Sequence, residues 1–204
     1  SEAQALRIAA ARAAHAAGIA VMPLCVQSKK PARQGWQMAD FPDSTVTAEW
    51  ARVANIGFRT GSISKGLVVI DVDPGADISC LGELPDTVTV LTGRTNAVTG
   101  QRGMHLYLRT SCDLKNSVSK LCDFIDIRAE NGYVVAPGST HPETGLQYEF
   151  KPGFGLGEIE IAQLPQHLLD RIEPKSKAEP VTKQNQTLPW IEQVPLELRI
   201  EAGR

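Results

Sequence analysis

The sequence predicts a mixed α/β fold (α+β) over residues 1–172, followed by a linker and C-terminal extension over residues 173–204. Three observations carry this. The chain opens on an alanine-rich helical stretch, and short β-branched runs in its middle alternate aliphatic with polar residues. After Ile172 the composition shifts to Lys, Pro, Gln and Ser. At 204 residues, with 42% apolar and 22% charged residues, the chain can build one substantial core. The net charge of −2 gives no global attraction to polyanions. Residues 1–60 nevertheless carry seven Lys/Arg against four Asp/Glu, which permits a local basic groove.

Residues 3–17 are mostly alanine with Leu6 and Ile8, which favours helix, and Gly18 is placed to stop it. Ile19 to Val26 predicts a strand, and Pro23 within it assigns an edge position. Ser28-Lys29-Lys30-Pro31-Ala32-Arg33-Gln34-Gly35-Trp36 is a basic loop. It is either a solvated turn whose tryptophan packs inward or a loop that faces an anion. Thr45 to Ala54 predicts a helix capped by Thr45 or Thr47, with Trp50 on its apolar side. Asn55 to Gly61 reads as a strand ending in a glycine turn.

Gly66-Leu67-Val68-Val69-Ile70-Asp71-Val72-Asp73-Pro74 is a β-branched run that stops on two carboxylates and a proline. Val68, Ile70 and Val72 fall on one face of the strand, and Leu67, Val69, Asp71 and Asp73 on the other. Asp71 and Asp73 then lie about 6–7 Å apart on one face, where their repulsion is relieved by a cation such as Mg²⁺ or Mn²⁺. Taken alone, this stretch is explained slightly better as an acidic turn closing a buried strand.

Thr87 to Thr92 predicts another strand and Gly93 to Arg102 a loop. In Gly103 to Arg109, Met104, Leu106 and Leu108 share one face, and His105, Tyr107 and Arg109 the other. In Phe124 to Arg128, Ile125 and Ile127 oppose Asp126 and Arg128. Asn131-Gly132 predicts a hairpin turn into Tyr133 to Ala136. Gln147 to Lys151 and Glu158 to Ile161 are short strands, and Pro165 to Ile172 a closing helix.

Cys25, Cys80, Cys112 and Cys122 contain no CxxC pair, which argues against structural zinc and against a disulfide framework. Reduced thiols are expected, with Cys112 and Cys122 able to meet near His105. No run of about 18 apolar residues spans a membrane. Arg7, Arg12 and His15 interrupt any signal-peptide core, so a cytoplasmic location is expected.

If their strands are neighbours, Asp71, Asp73 and Asp126 form a three-carboxylate cluster able to hold two divalent ions for in-line phosphoryl displacement. His105 offers a hydrogen bond to a phosphate. Arg128 serves either as a structural partner for Asp126 or as a neutraliser of polyphosphate charge.

The order of these pieces carries a resemblance. A DxD at a strand end, a histidine strand some thirty residues later and an isolated Ile-Asp-Ile-Arg look like the archaeo-eukaryotic primase superfamily. More narrowly, the chain resembles the bifunctional DNA primase/polymerase (Prim-Pol) N-terminal domain of plasmid and phage replication proteins. The resemblance covers roughly residues 3–172. It includes Lys30-Pro31, Gly35-Trp36, Asn55-Ile56-Gly57, Thr60-Gly61 and Gly66 to Pro74. It continues through Gly103 to Tyr107, Ile125 to Arg128, Gly132 to Ser139, Thr144-Gly145, Tyr148 and Leu164-Pro165.

The resemblance implies an RRM-like catalytic sheet beside an N-terminal α/β unit. It makes Asp71, Asp73 and Asp126 the metal ligands, with His105, Lys30, Arg128 and Ser139 around the incoming nucleotide. It implies Mg²⁺ or Mn²⁺ in a two-metal site, without structural zinc. The implied partners are nucleoside triphosphates, a single-stranded DNA template and a C-terminal helical or helicase module. One departure is visible: the family's Ser-Gly-Gly before the histidine is Gln101-Arg102-Gly103-Met104 here, with Arg102 as the candidate replacement. The expected function is template-directed DNA primase and polymerase activity. Its rivals are a non-catalytic nucleic-acid-binding module of the same fold and a haloacid-dehalogenase-like phosphatase. The phosphatase motif wants Thr or Val four residues after the first acid, where Gly75 stands.

Overall fold

The computed structural model describes residues 1–172. The predicted linker and extension over 173–204 lie outside the described residues. In chain order the elements are α1 (Glu2–Ala16), β1 (Val21–Pro23), α2 (Ser44–Val53), β2 (Ile56–Arg59) and β3 (Leu67–Val72). Then follow β4 (Thr89–Thr95), β5 (Arg102–Arg109), β6 (Ser117–Cys122), β7 (Ile125–Arg128), β8 (Tyr133–Val135), β9 (Glu149–Phe150), β10 (Ala162–Gln163) and α3 (Gln166–Ile172).

Burial demands sort these strands into two sheets. The larger runs β6-β7-β3-β5-β4-β9, antiparallel at each pairing, with β10 added in parallel to β5. β3 lies inside it and is apolar on both faces, because each face meets a core. Val68, Ile70 and Val72 join Leu106, Leu108, Ile125 and Ile127 beneath α3. Leu67, Val69 and Tyr107 face the other way, against Phe58 of the smaller sheet and the alanine face of α1. The start of β3 is fixed by Gly66, at φ +73°, because a Cβ there would lie 2.0 Å from the Thr110 carbonyl oxygen.

The smaller sheet has the order β1-β2-β8. Pro23 lies on its edge strand, where the missing N–H costs no ladder bond. α1 begins with a capping box formed by Ser1 and Gln4. α2 is capped by Asp43, whose carboxylate accepts from the Thr45 N–H at 2.7 Å; neither Thr45 nor Thr47 is the cap. A carboxylate reaches the open N–H groups better than a threonine already inside the turn.

Several expectations are corrected. Asn131-Gly132 does not close a hairpin, since β8 pairs with β2 and the chain crosses from one sheet to the other there. β4 runs on to Thr95, past the predicted loop boundary at Gly93. The 158–161 segment is not a strand, and the short strand comes just after it as β10. β6 has no counterpart in the sequence reading, because its residues show no clean alternation. Cys122 does not approach Cys112; it forms a disulfide with Cys80, while Cys25 and Cys112 are free and exposed. That bond ties the segment after β3 to the β6–β7 turn, two places their spacing does not join. Among the described residues, no helix is long and apolar enough to cross a membrane.

Candidate active site

Register brings the acids together. Asp71 of β3 stands directly across from His105 of β5 on one side and Asp126 of β7 on the other. Directly opposed side chains share a face about 4.5–5.5 Å apart, so His105, Asp71 and Asp126 form one cross-strand row. Asp73 follows just beyond the strand end, its backbone N–H donating to the Phe124 carbonyl at 2.9 Å. The row sits on the face of β3 that looks toward the smaller sheet. Where Leu67 and Val69 lie on that face the two sheets are packed shut; at Asp71 they part into a cleft of about 350 Å³. Lys29, Thr92, Arg94 and Tyr148 line it together with the acids, and Tyr133 to Val135 form its far wall.

The cleft pairs its charges closely. The Arg128 guanidinium donates to Asp126 Oδ2 at 2.9 Å and approaches Asp71 Oδ2 at 3.4 Å. His105 Nε2 lies 3.5 Å from the other Asp71 oxygen. Arg94 donates to Asp73 Oδ1 at 2.8 Å. Both structural and polyphosphate-neutralising roles were open for Arg128, and here it is an ion-pair partner of two acids.

His105 is 4% exposed, and burial lowers its pKa below the ordinary imidazole value, with Asp71 opposing and Arg128 assisting the shift. Its Nδ1 has no hydrogen-bond partner among the described residues. A buried nitrogen without a partner is costly, and it marks a place where a ligand atom is expected. Burial lowers His141 in the same direction. An unfolded histidine titrates near 6.5, so between that value and the lower native values the unfolded chain binds protons that the native chain does not. Stability is therefore full above about pH 6.5 and falls as pH drops below it. Melting temperatures measured from pH 7.5 to 5.5 are expected to decline, and to decline less steeply in His105→Gln.

The chemistry of the row fits a divalent metal. Asp71 and Asp126 present hard oxygen donors across one strand pair, and the Arg128 guanidinium already occupies the gap between them as a cation. Arg128 and Arg94 are engaged on the acids, and no group of three or more His, Cys, Asp or Glu side chains among the described residues is arranged to hold a metal ion. Binding would require those ion pairs to open.

Two expected residues lie elsewhere. Ser139 is fully buried and exchanges hydrogen bonds with the Ile56 backbone at 3.0 and 3.2 Å, which makes it a structural tie rather than a cleft residue. Lys30 is exposed and outside the cleft lining, whereas Lys29 lines it. Trp36 packs edge-on against Tyr133 at 5.2 Å, and the Tyr133 hydroxyl donates to the Lys29 carbonyl at 2.9 Å. In the basic loop the tryptophan thus packs inward and one lysine lines the cleft. Arg102, the candidate replacement for the missing serine and glycine, hydrogen-bonds the Thr92, Leu91 and Gln147 carbonyls and pairs with Glu149, so it braces β4 and β9 instead.

Thr92, Arg94 and Tyr148 escaped the sequence reading as cleft residues. For the first two a signal existed. Continued alternation through Thr92 and Arg94 extends β4 and places both on one face. A larger cavity, about 610 Å³, lies at the opposite end of β3 around Lys65, Arg109 and Glu130. Two of its charged groups are committed to the fold. Arg109 donates to the Ser64, Lys65 and Ala17 carbonyls, and Glu130 accepts from Ser62. The smaller cleft is the one that holds the acid row.

No curated protein matches the chain. The family described as bifunctional DNA primase/polymerase, N-terminal (Prim-Pol), matches residues 10–167, which contain the acid row and every residue of the cleft.

Proposed function

The chain belongs to the Prim-Pol family, the bifunctional DNA primase/polymerase N-terminal domain, and from that premise we propose that it is a template-directed nucleotidyltransferase that makes and extends primers in plasmid- or phage-type replication. The observation that supports this most is the row His105–Asp71–Asp126 with Asp73 at its end, open to a cleft between two sheets.

Family membership implies primase/polymerase-type chemistry dependent on a divalent metal. In our reading Asp71, Asp73 and Asp126 hold Mg²⁺ or Mn²⁺ as a two-metal site. When bound, such ions lower the pKa of an attacking hydroxyl and stabilise the leaving oxygen. The remaining work belongs to this chain's side chains. Arg128 and Arg94 give up their carboxylate partners and are then free to neutralise polyphosphate charge. His105, as a neutral imidazole with its single proton on the unpartnered Nδ1, donates to a phosphate oxygen. The terminal 3′-hydroxyl loses its proton to solvent as its oxygen attacks the α-phosphorus of the incoming nucleotide; a new O–P bond forms, the bond from the α-phosphorus to the α–β bridging oxygen breaks, and pyrophosphate leaves.

The template is single-stranded DNA, held through its backbone rather than its bases. The catalytic domain spans residues 1–172, and the extension over 173–204 leads toward a helical or helicase module in a cytoplasmic replication protein. Incubation with labelled nucleotides on single-stranded DNA, with and without a primer, in Mg²⁺ or Mn²⁺, is expected to give a ladder of extended products. Measurable DNA binding with no incorporation under any metal would reduce the chain to a non-catalytic binding module.

A further inference from the structure

Beside the acid row stands a hydrogen-bonding conflict. His141 is 1% exposed, and its Nδ1 faces the backbone N–H groups of Glu143 and Thr144 at 3.3 and 3.4 Å. Its Nε2 faces the Lys29 ammonium at 3.4 Å. A neutral imidazole has one donor nitrogen and one acceptor nitrogen, and an ammonium only donates. If Nδ1 accepts from the two backbone groups, Nε2 carries the proton and points it at a cation. If Nε2 accepts from Lys29, the Nδ1 proton points at two N–H groups instead. Either tautomer leaves donor facing donor, so an acceptor is missing from this contact. The first tautomer satisfies more groups.

The conflict is held in place. Asn55, 4% exposed, donates to the Ser28 and Thr140 carbonyls at 3.1 and 2.8 Å and accepts from the Thr140 N–H at 3.0 Å. It therefore staples the loop carrying Lys29 to the loop carrying His141. The His141 ring stacks on Tyr148 at 6.2 Å, and Tyr148 lies 5.8 Å from His105. Lys29 thus lines the cleft with the acids, and His141 adjoins it behind the Tyr148 ring, on the His105 side of the row.

We propose that Lys29 and His141 form a clamp for the terminal phosphate of the nucleotide, so that the polyphosphate tail runs from the acid row past His105 and Tyr148 to this pair. This rests on the polymerase reading of the cleft and adds to it a direction and a discriminating contact. An anionic oxygen between the two donors accepts from both and resolves the conflict. A phosphate monoester end reaches a histidine this deeply buried more readily than a continuous DNA backbone, which has chain on both sides of each phosphate. The clamp makes the site favour triphosphates over shorter tails.

The test is calorimetric titration of the chain with inorganic tripolyphosphate, orthophosphate and a single-stranded oligonucleotide, with the His141 ring nitrogens followed by NMR. Tripolyphosphate is expected to bind more tightly than orthophosphate and to move the Nε2 resonance. Lys29→Met is expected to weaken it roughly ten- to a hundredfold, the value of one charge-assisted hydrogen bond, while oligonucleotide binding is unchanged and Lys29→Arg recovers part of the loss. His141→Asn retains an acceptor for the two backbone N–H groups and lacks the second donor, so it separates clamp from fold. Unchanged tripolyphosphate affinity in both Lys29→Met and His141→Asn overturns the clamp, as does an Nε2 shift produced by the oligonucleotide alone. The readout needs no catalysis. A chain that binds tripolyphosphate at this pair but incorporates no nucleotide refutes the polymerase reading and keeps the clamp; the converse result does the opposite.

Discussion

Asp71→Asn abolishes nucleotide incorporation, a loss on the order of a thousandfold or more if the carboxylate holds the metals that activate the attacking and leaving oxygens. The substitution keeps the shape of the side chain and removes its charge. The backbone pairing of β3 with β5 and β7 does not depend on that charge, and Arg128 retains Asp126 as its partner. Circular dichroism and the melting temperature should therefore stay near the parent values while product formation disappears. Asp73→Asn is expected to behave alike, with a smaller structural perturbation because its side chain is nearly half exposed. Full incorporation by either variant sinks the assignment of the acid row as the catalytic centre.

The second large effect falls on the fold. Phe58 is fully buried in β2, and its ring meets that of Tyr107 of β5 edge-on at 6.4 Å. This contact joins the smaller sheet to the larger one beneath the closed part of the cleft. Phe58→Ala removes most of a ring from a site whose walls are two sheets and α1, which cannot collapse freely into the space. The expected cost is about 3–5 kcal/mol, a large share of the roughly 5–15 kcal/mol typical of a domain. Urea unfolding gives the value directly. A loss under about 1 kcal/mol would mean that the two sheets are joined by other contacts. Phe58→Leu keeps more volume and is expected to recover a good part of the loss.

Much of the site was legible because β-strands convert sequence parity into facing. Asp71, His105 and Asp126 each alternate with aliphatic neighbours, so the polar face of each strand could be assigned before any pairing was known. That these strands are neighbours, and that Asp71 falls in the middle, depends on long-range pairing that no local pattern encodes. The second wall of the cleft was hidden for the same reason. Tyr133 to Val135 read as the return strand of a hairpin with β7, yet they pair with β2 in the other sheet. Lys29 and Lys30 are equivalent in a loop with no period, and tertiary bonds such as those from the Tyr133 hydroxyl to the Lys29 carbonyl and from Asn55 to the Ser28 carbonyl fix the local course of that loop. Ser139 belongs to a motif-rich stretch but is consumed by the Ile56 backbone, an outcome set by packing. The Cys80–Cys122 bond joins residues 42 positions apart and had no local signal.

The central position of β3 also sets where the chain tolerates a change in length. Its two faces are both occupied, one by the core under α3 and the other by the core under Phe58 and then by the acids. Deleting a single residue between Leu67 and Asp71 would rotate the following side chains by half a turn and send Asp71 into the aliphatic layer of Ile125 and Ile127. The turn over residues 96–101, which joins β4 to β5 beyond the cleft, carries no such constraint, and Val98 there is 93% exposed. Length variation among natural or engineered versions of this domain is therefore expected to concentrate in that turn and to be absent from β3.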